Sequence, residues 1–529
     1  MKRWLIVIVL ALTQFIMILD STVMNVSISA VVADLHTTVS SLQAAITFYT
    51  LTMAAFMLTG GKLGDILGRL KAFRIGAVIY AIGSLITALS PTIGVLFIGW
   101  SVIEGFGAVL VIPATAALVA MNYKGKDRVI GYTAIGAASG IAVALGPLIG
   151  GYLTTYFSWR YVFFGETIIM AGILLYSLTL KEKEVISKLK LDYLSVLLSA
   201  GGMVLMVFGI LQSKTWGWVI PKGTLTIAGQ SIAPLGISMS AYLIIAGIVV
   251  LRYFYARQIN LENKKLNPLL KVSMLKIKVL KSGLGVLAGQ FFITNAVFFV
   301  IPIYLQMVLG YDALKTGIKI FPLSVSIVIF SMIGSRLITK FSPKQIIRAG
   351  QWSLIVGVLV LTDAINAELK GFMFGAAIFI IGIGLGLLVS QIGNVNMSAV
   401  DEKHTSEVGG LQGTFQNIGA SLGTAIVGSV MIASLTAGFV SNVSANPNIP
   451  STTKSAINSK SKAGVPIQPA SQVQSEAEKS GLSQSEASTI TNEYKDSQIK
   501  SLKTSMFFLA VIALFTLYIS RNIPDKKMI

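Results

Sequence analysis

The stretch WLIVIVLALTQFIMILDSTVMNVSISAVV, residues 4–32, decides the class of this chain. It is long enough to cross a bilayer as a helix, at about 1.5 Å per residue and a hydrocarbon core about 30 Å thick. One residue in it is out of place: Asp20. A carboxylate at membrane depth is costly unless a cavity, a partner or a proton relieves it. A second acid, Glu104, sits comparably in the run 93–119. Two acids inside apolar helices predict a polar pathway, as in a pump or transporter, rather than an anchor.

Composition agrees. Of 529 residues, 54% are hydrophobic and only 12% charged, about half the charge of a soluble domain. Apolar runs recur from end to end, so the fold class is an all-α polytopic membrane protein with no room for a sizeable soluble domain. The net charge of +20 does not imply nucleic acid. About 29 Lys and Arg fall in loops placed inside and about 6 in short loops placed outside, which orients the chain. That basic face favours anionic headgroups of the bilayer. The absence of cysteine removes disulfides and thiol chemistry. His36 and His404 fall in loops on opposite sides and form no joint site. Lys2-Arg3 before an apolar run imitates a signal peptide, but the run is too long for one and is read as an uncleaved first span.

Fourteen spans are predicted: 4–32, 42–61, 72–90, 92–120, 128–154, 160–180, 192–212, 236–256, 281–308, 315–337, 347–365, 371–397, 407–438 and 504–520. An even number puts both termini on one side, and Lys2, Arg3, Arg521, Lys526 and Lys527 make that side cytoplasmic. Residues 181–191 form a short charged linker. The basic segment 253–280 is either an amphipathic helix on the inner surface or a solvated connector. Residues 440–503 are polar; they are expected to be an external, mobile and dispensable loop with some helix near 475–499. Trp216 and Trp218 suit the interface.

Three patterns carry chemistry. The hairpin GGKLGDILGRLK, residues 60–71, places Gly61, Gly64 and Gly68 for close backbone approach. Asp65 with Arg69 and Lys71 suits a charge-assisted latch or an incidental ion pair in a basic turn. The fifth helix carries Gly140, Gly146, Pro147, Gly150 and Gly151, a small-residue groove with a proline bend that suits a hinge. Polar stripes run along other helices: Thr13, Asp20 and Ser27; Gln14, Ser21 and Asn25; Gln290 and Thr294, near Phe291 and Phe298; Gln412 and Gln416.

These residues resemble the major facilitator superfamily. Residues 61–71 look like its loop between helices two and three. Gly146-Pro147 with Gly150-Gly151 looks like its antiporter motif. Leu19–Asn25 looks like the first-helix motif of its fourteen-helix drug:proton antiporters, and the Ser158-Trp159-Arg160 turn and the run Gly409, Gly419, Gly423 are also typical. The resemblance covers nearly the whole chain. It implies six-helix bundles at 1–180 and 281–529, joined by 181–280 with two extra helices, and a cavity lined by helices one and four and their counterparts. It also implies that Asp20, Glu104, Asn25, Gln14, Gln290, Thr294, Gln412 and Gln416 serve proton coupling or substrate.

The chain departs from the pattern. Ser101-Val-Ile-Glu104-Gly105-Phe-Gly107 stands where the family has R-x-x-Q-G-x-G, and Glu104 is the expected substitute for the missing arginine's role. Ile66 and Leu70 replace basic residues of the hairpin, and 334–344 resembles a decayed second copy. Glu166 is either a third embedded acid or an interfacial one.

The expected function is proton-coupled antiport that exports amphipathic, cationic organic compounds from the cell across the plasma membrane by alternating access. Its expected partners are the small-molecule substrate, protons and lipid. No enzyme activity, cofactor, metal or nucleic acid is expected, and the chain is expected to work as a monomer. One rival is a dedicated transporter of a metabolite, peptide or lipid, which competition across unrelated drugs would separate. The other is a non-transporting sensor or scaffold, for which Asp20 would be dispensable and residues 440–503 would not.

Overall fold

The structure, a computed structural model, describes residues 2–180, 190–222, 225–227, 230–369, 371–401, 405–461 and 464–525. His404, Lys526, Lys527 and most of the linker 181–191 lie outside the described residues. Among those described, fourteen helices are long and apolar enough to cross a membrane, as the hydropathy predicts. In chain order they are α1 Trp4–Val26, α2 Val39–Leu67, α3 Arg69–Ala88, α4 Ile93–Asn122, α5 Ile130–Tyr156, α6 Arg160–Ser177, α7 Tyr193–Trp216, α8 Met239–Asn263, α9 Lys278–Val308, α10 Ala313–Leu337, α11 Pro343–Ala364, α12 Gly371–Met397, α13 Glu407–Ala445 and α14 Gln484–Asn522.

Helices α1–α6 and α9–α14 pack as two six-helix halves. The halves meet along two seams, α2 with α13 and α5 with α10. Helices α7 and α8 pair with each other, and α7 rests on both α2 and α13, across one seam. Small residues set the α7–α8 approach: a Cβ on Gly247 would lie 2.6 Å from the Met206 amide nitrogen. An even number of crossings brings the ends of α1 and α14 to one end of the bundle, called proximal here; the other end is distal.

The α5–α10 seam is tight distally and looser proximally. Gln306 donates to the Val26 carbonyl at 2.9 Å and accepts from the Ser29 amide at 2.9 Å, joining α9 to the end of α1. The Leu314 amide donates to Thr155 at 3.0 Å. A Cβ on Gly151 would press on the Ala313 carbonyl, and one on Gly317 on that of Pro147. Toward the proximal end of the same seam, a Cβ on Gly140 would meet only Val328 at 3.7 Å, and one on Gly136 nothing.

Two expectations need correction. Residues 440–503 are not a mobile loop where described. Helix α13 runs on to Ala445, helices Ser451–Lys460 and Ala470–Lys479 follow, and α14 begins at Gln484. The reason is placement rather than composition. Ile449, Val465, Ile467, Ile490 and Tyr494 of the segment are buried, and Ile457, Val473, Leu482 and Ile499 are partly buried against them and their neighbours. The Tyr494 ring meets Phe439 edge-on at 5.7 Å, and its hydroxyl donates to the Pro466 carbonyl and accepts from the Gln468 amide, both at 2.9 Å. A capping box, Ser483 with Glu486, starts the long final helix. The segment 253–280 likewise contains no separate amphipathic helix. Its first part continues α8 to Asn263, and a short 3₁₀ turn, Val272–Lys276, buries Val272 and Met274 before α9.

Candidate functional site

The site is built by α3 and α4 approaching closely. A Cβ on Gly83 would lie 2.5 Å from the Glu104 amide nitrogen, and one on Gly107 would lie 2.5 Å from that of Tyr80. Neither position has room for a side chain. Tyr80 and Ser84 of α3 are therefore held against Glu104 of α4. Residues Phe97–Glu104 form a π-helical stretch within α4, a local irregularity that gathers at functional sites. Trp100, Ser101 and Glu104 all point into the first half, exposed by 1%, 0% and 0%.

Asp20 of α1 meets them there, itself 0% exposed. The Trp100 indole N–H donates to both its oxygens, at 2.8 and 2.9 Å, and the indole stacks on Tyr49 of α2 at 4.9 Å. Ser84 donates to Glu104 Oε2 at 2.8 Å. Glu166 of α6 comes third, 2% exposed. Each of the three acids offers an oxygen within 4.8 Å of the others. The groups acting on them are one another, the tyrosines, Trp100 and Ser84; no Lys, Arg or His is among them. Glu104 Oε1, both Glu166 oxygens and the Tyr80 hydroxyl have no hydrogen-bond partner among the described residues.

Magnitudes decide the charge state. Two unit charges about 4.8 Å apart repel by roughly 3–4 kcal/mol at an effective dielectric near 20. Three such pairs approach about 10 kcal/mol, the scale of a whole domain's stability. The three carboxyls are therefore not all ionised together without a compensating cation. Oxygen donors alone suit a proton or a hard cation, and among the described residues no His joins them.

The structure brings together Asp20, Glu104 and Glu166, and it seals them inside the first half rather than on an open cavity wall. The stripe Thr13, Asp20, Ser27 is the buried face of α1, at 0%, 0% and 1%, while Gln14 and Ser21 are half-buried. Asn25 donates to the Ser21 carbonyl at 2.8 Å. Gln290, Thr294, Gln412 and Gln416 do not join the acids. Thr294 bonds back to the Gln290 carbonyl at 2.9 Å, and Gln412 donates to the Gly393 carbonyl at 3.3 Å. Ser101, at the position of the family arginine, donates to the Ala45 carbonyl at 2.8 Å and ties α4 to α2.

The hairpin is latched upon itself. Gly68 has φ +93°, a conformation that favours glycine. Arg69 pairs with Asp65 and donates to the Gly61 carbonyl at 3.1 Å, in the space where a Gly64 Cβ would intrude; Lys71 is exposed and takes no part. In the antiporter stretch, Gly146 and Gly150 admit Thr22 and Val23 of α1, and Gly151 and Pro147 face α10. The turn Ser158-Trp159-Arg160 clamps the distal end of the first half, with Arg160 and the Trp159 indole both on Asp34.

Sequence reasoning missed Trp100, Tyr49, Tyr80 and Ser84. One signal was readable: Trp100 stands four residues before Glu104, on the same helix face. Gln306, the distal link between the halves, carried no signal.

The family model for the Major Facilitator Superfamily matches residues 10–193 and again 193–424. Among curated proteins, the chain is 27% identical to a probable actinorhodin transporter of Streptomyces coelicolor, over 81% of this chain and 72% of that protein. It is 26% identical to the multidrug resistance protein Stp of Mycobacterium tuberculosis, over 80% and 75%. It is 24% identical to the multidrug transporter protein MdtP of Bacillus subtilis, over 81% and 75%. Among solved structures, a bacterial homolog of the human lysosomal transporter Spinster, inward-facing and unoccupied, superposes with a TM-score of 0.62 at 15% identity, covering 98% of this chain and 97% of that one. A D-xylose-proton symporter gives 0.56 at 14%, covering 80% and 89%. Two family-model matches covering most of the chain, fourteen candidate spans among the described residues and this shared fold make the chain a member of the Major Facilitator Superfamily, a polytopic membrane transporter.

Proposed function

We propose that the protein is a proton-coupled antiporter that exports amphipathic organic cations by alternating access. The observation that carries this reading is the sealed, base-free group of Asp20, Glu104 and Glu166. Such a group holds protons in one state of the cycle and exposes negative charge in another. Protonated, the group holds a cation weakly; deprotonated, it attracts one strongly. The α5–α10 seam, tight distally and loose proximally, fits a state open toward the termini along that side. The basic loops support a cytoplasmic location of the termini, and in that orientation this state loads cargo from inside. The self-latched Asp65–Arg69 hairpin and the α5–α10 glycine contacts are the elements that rearrange when the halves rock. Similarity to a probable actinorhodin transporter, the multidrug resistance protein Stp and the multidrug transporter MdtP supports export of drug-like molecules.

The test is flux in proteoliposomes holding the full chain. An imposed pH gradient, with no nucleotide present, is expected to drive ethidium uphill, and a protonophore to abolish it. Ethidium that only equilibrates under the gradient would contradict the proposal.

A further inference from the structure

We propose that Glu166 bears a transported proton and that the coupling site loads two protons, on Glu104 and Glu166, around an ionised Asp20. This rests on the reading above that the cluster couples proton flow to cargo, and it deepens that reading by a residue and a stoichiometry.

The argument is an audit of donors. Asp20 uses both oxygens as acceptors of the Trp100 N–H, the pattern of an ionised, acceptor-only carboxylate. Glu104 has one donor, Ser84, on Oε2 and none on Oε1. Glu166 receives no well-formed hydrogen bond on either oxygen, and the Tyr80 hydroxyl lies beside it. A buried carboxylate without donors is costly, whereas a protonated carboxyl brings its own donor. Acceptors lie at hand, because Glu104 is within hydrogen-bonding reach of Asp20 and all three acids fall within 4.8 Å.

Structural acids in this chain look different. Asp34 is held by Arg160 and the Trp159 indole, Asp192 by Arg257 and Ser195, and Asp65 by Arg69. Glu166 has no such cation. The titratable groups facing it are Asp20 on α1, Tyr49 on α2, Tyr80 on α3 and Glu104 on α4, and none of them is basic. The Tyr80 hydroxyl lies within hydrogen-bonding reach of Glu166, to accept from it when it is protonated and to donate to it when it is ionised. A cycle then binds two protons from the distal side, releases both at the proximal side, and carries one cation the other way. One net positive charge enters for each cation exported.

Two readouts test this on the full chain in lipid. Infrared spectroscopy of the wild type is expected to show carbonyl stretches from two buried protonated carboxyls, and Glu166→Gln to remove half of that intensity. The reversal potential of ethidium flux is expected to give two protons per ethidium, falling to one in Glu166→Gln. Glu166→Asp keeps a carboxyl and is expected to keep the intensity at a shifted frequency, which separates loss of the proton from loss of the fold. Unchanged intensity and ratio in Glu166→Gln would overturn the proposal, as would a wild-type site that is fully ionised and whose flux requires sodium. If the wild type moves no ethidium under a pH gradient, the antiport reading fails, and the infrared intensity still decides whether Glu166 carries a proton.

Discussion

Replacing Trp100 with Phe removes one hydrogen atom that matters and keeps most of the ring. The indole N–H sits 2.8 and 2.9 Å from the two oxygens of Asp20, so it is one donor shared by one carboxylate. A hydrogen bond to a charged group contributes about 1.5–3 kcal/mol, and one to a neutral group about 0.5–1.5. Phe retains the stack on Tyr49 but leaves a small void, whose cost adds to the loss of the bond. A double-mutant cycle with Asp20→Asn cancels the void, because it appears in both backgrounds. The coupling expected between Trp100→Phe and Asp20→Asn is therefore about 1–1.5 kcal/mol, close to tenfold in an equilibrium constant. Unfolding of the four proteins in mixed micelles, followed by tryptophan-independent far-ultraviolet dichroism, measures it. Coupling below about 0.5 kcal/mol would mean that Asp20 is neutral or that the indole bond contributes nothing, and the charge assignment would fall.

Glu104→Gln restores the residue usual in the family, yet it is expected to slow gradient-driven efflux several-fold, because Ser101 leaves no arginine to take over; normal rates from about pH 5 to 8 would reduce Glu104 to a packing residue. Tyr494→Ala is expected to destabilise the distal cap by roughly 3–5 kcal/mol and to open residues 446–483 to protease, whereas the wild-type segment resists; equal nicking of both would refute the folded cap. The hydrogen bond from Arg257 holds the Asp192 carboxyl below the usual carboxylate range. Its contribution is therefore complete above about pH 4 and fades as pH falls through the lowered value. The melting-temperature gap between wild type and Asp192→Asn should stay constant from about pH 5 to 8 and close in stronger acid, and a gap that widens in acid would contradict the sign.

The fold was legible because hydropathy is a local property: fourteen apolar runs remain fourteen helices whatever their neighbours. Asp20 and Glu104 were legible for the same reason, as charges in apolar surroundings. Their partners were not. Trp100, Tyr49 and Tyr80 are aromatic residues in apolar helices, identical in sequence to core filling, and only the Gly83 and Gly107 contacts bring them to the acids. The side that α1 buries was also undetermined, since two polar stripes compete on it and packing selects Thr13, Asp20 and Ser27. Glu166 was ambiguous because depth cannot be counted reliably from a helix end only six residues away at Arg160. The cap misled through averaging. Its mean polarity is that of a disordered segment, but Ile490 and Tyr494 fall on one turn of a helix that continues into the membrane.

The central claim is that protons bound at the Asp20 cluster and cargo exchange for each other, and one measurement tests it most directly. Proteoliposomes with a trapped pH-sensitive dye and no initial pH gradient are given an ethidium gradient. The wild-type protein is expected to move protons against the ethidium flow, changing the internal pH, while Asp20→Asn at equal reconstitution leaves it flat. An equal pH response from Asp20→Asn, or none from a wild type that carries ethidium, would contradict the account.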